Sequence, residues 1–124
     1  VRDALTLPDR GMKITMIEKS IGKISHISLG FGGYQDAQFG LSVTLSGSSW
    51  DVGDFKGFWS RNPDSSCRWT SKDKDLALLI MLYFIQDLLR DAHIDSLDKL
   101  KDKPVEVTFK DNGLQSWRIL TEVL

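Results

Sequence analysis

Phe39-Gly40-Leu41-Ser42-Val43-Thr44-Leu45-Ser46-Gly47-Ser48-Ser49-Trp50-Asp51-Val52-Gly53-Asp54-Phe55-Lys56-Gly57-Phe58-Trp59 reads as strand, turn, strand. Phe39, Leu41, Val43 and Leu45 alternate with small polar residues, which puts them together on one buried face. Ser46-Gly47-Ser48-Ser49 supplies the turn residues. In the returning strand Trp50, Val52 and Phe58 share one parity, and Phe55, Gly57 and Trp59 share the other. Rings therefore fall on both faces, more than a one-sided sheet can bury. Most of them read as core, and Trp59, Phe58 or Tyr34 as the exposed remainder, with Trp and Tyr beside arginine being typical interface anchors.

Upstream, Lys13 to Glu18 and Lys23 to Leu29 read as two further strands parted by Ser20-Ile21-Gly22. In the second, Ile24 and His26 are out of phase with Ile27 and Leu29, which predicts a bulge or a two-sided strand. Gly30-Phe31-Gly32-Gly33-Tyr34 reads as a loop, because clustered glycines weaken a ladder. Residues 1–11 are polar, contain Pro8 and lack an apolar signal-peptide segment. They read as an extension, disordered or added for expression, with Met12 as the natural start of a single domain over 12–124.

Downstream, Asn62-Pro63-Asp64 and the serines make Arg61 to Arg68 a loop. Thr70, three residues before Asp73, predicts a capped helix running to about Ala92. Leu78, Met81, Leu82, Ile85, Leu88, Leu89 and Ala92 form one apolar stripe. Leu76, Leu79, Ile80 and Tyr83 form a second over the first half only. A helix on one sheet needs a single stripe, so the second is a candidate self-association face and predicts a possible homodimer. Ser96 to Leu100 is a short helical turn. Val105 to Lys110 and Leu114 to Glu122 form a hairpin, for which a loop of Asp111-Asn112-Gly113 with Gly113 left-handed pairs Val107 with Trp117, Val105 with Ile119 and Glu106 with Arg118. The expected fold is α+β: a mainly antiparallel sheet of about six strands with one long helix packed on one face, in the order ββββ-α-(short α)-ββ.

Composition narrows the function. A 124-residue chain with 41% hydrophobic and 27% charged residues and a net charge of −1 has the balance of an ordinary globular domain. It carries no general attraction for nucleic acid or anionic membrane. The longest apolar run, Leu76 to Ile85, is too short to span a bilayer. The lone Cys67 excludes an internal disulfide and a cysteine-based zinc site, and the compartment by elimination is the cytoplasm. His26 and His93 lie apart with no carboxylate at ligand spacing, and Cys67 has only Arg68 beside it, so no catalytic group is assigned. Asp36, Asp51 and Asp54 would serve a cation if their loops met, the basis of a metal-dependent hydrolase as a further alternative; no metal or cofactor is assigned. Single-stranded nucleic acid would need rings beside cations. Tyr34, Phe58 and Trp59 supply the rings, and Arg61, Arg68, Lys72 and Lys74 a basic rim, although the aspartates between Gly30 and Trp59 oppose phosphate.

The blocks Phe39 to Leu45, Trp50 to Trp59, Lys103 to Phe109 and Ser116 to Glu122 together resemble a group of small uncharacterised phage and prophage proteins of bacterial genomes. The resemblance spans Met12 to Leu124. A glycine commonly follows the tryptophan at position 50 in that group, where this chain has Asp51. The resemblance implies a small cytoplasmic protein made by a phage in its host and brings no catalytic residues. The function expected is protein binding rather than catalysis, with an unknown host or phage protein as partner and Tyr34, Asp36, Asp54, Phe58, Trp59 and Arg61 as candidate binding residues.

Overall fold

The computed structural model describes residues 15–124. The extension at 1–11, and the start proposed at Met12, lie outside the described residues. Five strands, β1 (Ile17–Gly32), β2 (Gln38–Ser46), β3 (Asp51–Trp59), β4 (Pro104–Lys110) and β5 (Gly113–Ile119), form one antiparallel sheet in the order β3-β2-β1-β4-β5. One long helix, α1 (Ser71–Ala92), and a 3-10 turn at Leu97–Leu100 connect β3 to β4. The α+β class and the single long helix agree with the sequence.

Among the described residues the sheet has five strands rather than six because the first two expected strands are one from Ile17 on. Gly22 does not break β1. A Cβ there would lie 2.5 Å from the Ser46 carbonyl and 2.7 Å from the Trp50 ring, so the glycine makes room for Trp50. Trp50 covers this position, donates to Ser20 Oγ at 3.0 Å and meets Phe109 edge to face. Gly30, Phe31 and Gly32, expected in a loop, are paired with Gly40, Phe39 and Gln38. Gly30 and Gly32 belong to the paired strand end, and Gly33, at φ 76°, opens the turn. The phase slip in β1 is a bulge: Ile24 faces Leu45 and His26 faces Thr44, with Ser25 unpaired between them. Its hydroxyl donates to the Thr44 carbonyl and accepts from Ser46. One extra residue thus returns Ile27 to the side of the sheet that holds Ile24.

The terminal hairpin has the expected partners, Val107 with Trp117, Val105 with Ile119 and Glu106 with Arg118. Its loop differs. Lys110 faces Gly113, and the two residues between them, Asp111 and Asn112, are the left-handed ones, at φ 51° and 69°. Asp and Asn tolerate the positive φ that a tight hairpin turn demands. Gly113 is not left-handed, and the extra residue is absorbed at Gln115, where the register shifts.

On the outer face Arg118 holds Glu106 at 3.1 Å and grips Glu122 through two bonds of 2.9 and 2.7 Å. These bonds hold the Glu122 carboxyl down at about 2, against an ordinary 4.5. A carboxyl depressed in the folded chain favours folding above its unfolded value, and that contribution disappears as the pH falls from about 4.5 through about 2. An NMR titration of Glu122 should show the low midpoint, and Arg118→Met should return it toward 4.5. A midpoint unmoved by the substitution would refute this pairing.

α1 starts with Thr70 accepting from the Asp73 amide while Asp73 accepts from the Thr70 amide, the reciprocal cap that the sequence predicts. His93, left-handed at φ 56°, ends it. Met81, Leu88 and Ala92 are buried, and Leu78, Phe84, Ile85 and Leu89 pack beside them over Ile24, Leu41, Val43, Leu45, Val105, Val107 and Ile119. Leu82, expected in this stripe, is instead exposed; Phe84 takes part in the packing. The sheet curls far enough that side chains of its two edge strands meet beside Phe84. Trp117 of β5 donates its indole N–H to Asp54 of β3 at 2.7 Å and stacks edge to face on Phe84, while Lys56 of β3 lies over the same Phe84 ring.

Candidate functional site

The end of β3 bears a cleft of about 560 Å³, lined by Gln35, Asp36, Ala37, Trp59, Ser60, Arg61, Ser66, Cys67, Arg68 and Trp69. Three segments build it. The first is the turn after β1, where Gln35 and Asp36 are both left-handed at φ 55°. Such backbone costs free energy in residues with a Cβ and persists only where neighbours hold it. Here the Ser60 amide donates to the Ala37 carbonyl at 2.8 Å and the Ser60 hydroxyl to the Asp36 carbonyl at 3.2 Å.

The second segment is the end of β3. Outward parity brings Trp59 to the surface, where it is 43% exposed. Inward parity turns Phe58 against Trp69, edge to face at 5.0 Å. The third is the loop from Arg61 to Trp69, held by Asp64 and by the helix. Asp64 accepts from the Ser66 hydroxyl and amide, and these bonds, with smaller help from Cys67 and Arg61, hold its carboxyl below the usual aspartate range. Lys74 reaches back from α1 to donate to the Ser60 and Arg61 carbonyls, both at 3.0 Å. Arg61 lies over Trp69 with its guanidinium 6.0 Å from the ring centre and donates to Cys67 Sγ at 3.0 Å.

Asp36, Trp59 and Arg61 are therefore brought together. Tyr34 is 84% exposed on the adjoining turn and does not line the cleft. Phe58 is not an exposed anchor; it supports Trp69 from below. Asp54 lies elsewhere, in a smaller cleft of about 280 Å³ between β3 and β5, where Trp117 and Lys56 occupy its carboxylate. Among the described residues no three His, Cys, Asp or Glu side chains are grouped as a metal requires, so Asp36, Asp51 and Asp54 do not converge. Lys74 is tied to the loop rather than free as a basic rim. Trp69 was the residue hidden from sequence reading: it precedes the Thr70 cap, and only the path of the loop shows that it faces Arg61 and Phe58.

The second helix stripe is bare. Leu76, Leu79, Ile80 and Tyr83 are 58, 47, 52 and 58% exposed. Among the described residues no helix is long and apolar enough to cross a membrane. Compared with family models, curated proteins and solved structures, the chain matches none.

Proposed function

We propose that this is a small phage- or prophage-encoded accessory protein, working in the host cytoplasm, that acts by binding a partner polypeptide at the Trp59–Trp69 cleft. The phage setting rests on the sequence resemblance alone. The binding role rests on one observation: two tryptophans and two arginines converge in one cleft whose walls are pinned by Ser60, Asp64 and Lys74. Tryptophan and arginine are the residues that most often dominate interface energetics, especially where the surface is preorganised. Charge favours a polypeptide over nucleic acid. Arg61 and Arg68 are offset by Asp36 and Asp64, whereas a single strand needs cations along several phosphates. A cleft of this size takes one or two side chains, with an acidic or aromatic residue suited to Arg68 and Trp59.

Affinity capture from bacterial host lysate with the wild-type chain and with Trp59→Ala tests this reading. A specific protein should be retained by the wild type, and its affinity should fall by about 30-fold in the variant, the effect of a 2 kcal/mol anchor. Because Trp59 is half exposed, the thermal midpoint should move by no more than about 2 °C. Capture that ignores Trp59, or salt-sensitive binding of single-stranded oligonucleotides lost with Trp59, would replace it.

A further inference from the structure

Along α1, Lys72, Leu76, Leu79, Ile80, Tyr83 and Asp87 follow one another at spacings of three, four or one and share one face of the helix. All six are exposed, and among the described residues the four apolar ones keep about half of their surface uncovered. Their order is symmetrical. Leu79 and Ile80 flank the midpoint, Leu76 and Tyr83 stand equally far from it, and so do Lys72 and Asp87. We propose that this stripe binds a second copy of the chain, the two helices lying antiparallel about a twofold axis through the midpoint between Leu79 and Ile80.

In that arrangement each Leu79 meets the partner's Ile80, each Leu76 meets the partner's Tyr83, and each Lys72 meets the partner's Asp87. A twofold interface requires a surface that complements itself, which this one does in the order of its apolar and charged residues. Parallel pairing would instead set Lys72 on Lys72 and Asp87 on Asp87, so the end charges select the antiparallel orientation. Asp87 is already held by Arg90 at 3.0 Å, one turn away on the same helix. The four apolar side chains offer on the order of 400 Å² per copy, about half of what a standard stable interface buries. The dimer is therefore concentration-dependent. The pairing does not depend on what the Trp59–Trp69 cleft binds.

Sedimentation equilibrium from roughly 1 μM to 1 mM reads this directly. The wild type should show reversible monomer–dimer exchange. Lys72→Glu and Asp87→Lys should each weaken the dimer about tenfold by turning two attractive contacts repulsive, and the double variant should recover to within about threefold of wild type. Leu79→Glu should abolish the dimer and leave helicity, and the thermal midpoint at concentrations where the wild type is monomeric, unchanged, since the site is exposed. A strict monomer at the highest concentration overturns the proposal. So does a double variant no better than the single ones, or a dimer that survives Leu79→Glu; the last would point to another surface.

Discussion

Trp117→Ala should cost about 3–5 kcal/mol and lower the thermal midpoint by ten degrees or more, the largest loss expected from any ring in the chain. Trp117 joins three elements that the backbone does not join. Its indole N–H reaches Asp54 on the opposite edge of the sheet, and its ring packs on Phe84 of α1 and over the buried cluster. Removing it vacates the space under the helix and leaves the Asp54 carboxylate, whose side chain is only 20% exposed, with Lys56 at 3.9 Å as its remaining partner. Trp117→Phe separates the two losses. It keeps most of the ring contact and removes only the hydrogen bond, so it should cost about 1.5–3 kcal/mol, the range for bonds to charged groups. Urea titration with a common slope would measure both. If the alanine variant lost less than about 1 kcal/mol, the edges would not be held together by this side chain.

Gly57→Ala should be as damaging, at about 3 kcal/mol or more, for a different reason. Gly57 faces Gly40 across β2 and β3, and the Phe55 ring lies over the pair. A Cβ on Gly57 would stand 2.3 Å from the Phe39 carbonyl oxygen and 2.7 Å from the Gly40 Cα, which are backbone atoms with no freedom to withdraw. Gly53→Ala in the same strand is the control. Its Cβ would meet nothing nearer than the Val43 carbonyl at 3.9 Å, and its φ is ordinary. It should be neutral or gain about 0.5 kcal/mol through the unfolded state. Equal effects at the two glycines would show that strand propensity, rather than close approach, is being measured.

These glycines also show where the sequence was legible and where it was not. Alternation in Phe39 to Leu45 and the Thr70–Asp73 cap depend on neighbours in the chain, and both were read correctly. The out-of-phase Ile24 and Ile27 correctly signalled a bulge. Gly22 misled because a glycine that admits Trp50 looks, in sequence, like a glycine that ends a strand, and Gly30 and Gly32 because they continue a paired strand end with open space beside them. The Asp111-Asn112 turn was read one residue too long because the compensating shift at Gln115 is visible only in the pairing. In the candidate site, Trp59 and Arg61 were legible from strand parity and from the loop beside it. Trp69 was not, since its place depends on Lys74 and Asp64 pulling the loop back across β3.

The stagger of β1 sets how the molecule comes apart. β2 covers Lys23 to Gly32 on one edge and β4 covers Ile17 to Lys23 on the other, so Lys23 alone has a strand partner on each side. The ladder by itself is two half-sheets joined only at Lys23 and at Ile24, which bonds Asp102 and Lys103 through its backbone, and could open in two steps. Cooperativity has to come from Trp50, which reaches Ser20 and Phe109 from the β2–β3 turn, and from α1 and the Trp117–Asp54 contact, which tie the outer strands of the two halves to each other. Native-state hydrogen exchange would then find a single opening unit in the wild type and two, meeting near Lys23, once the Trp50 and Trp117 ties are both cut.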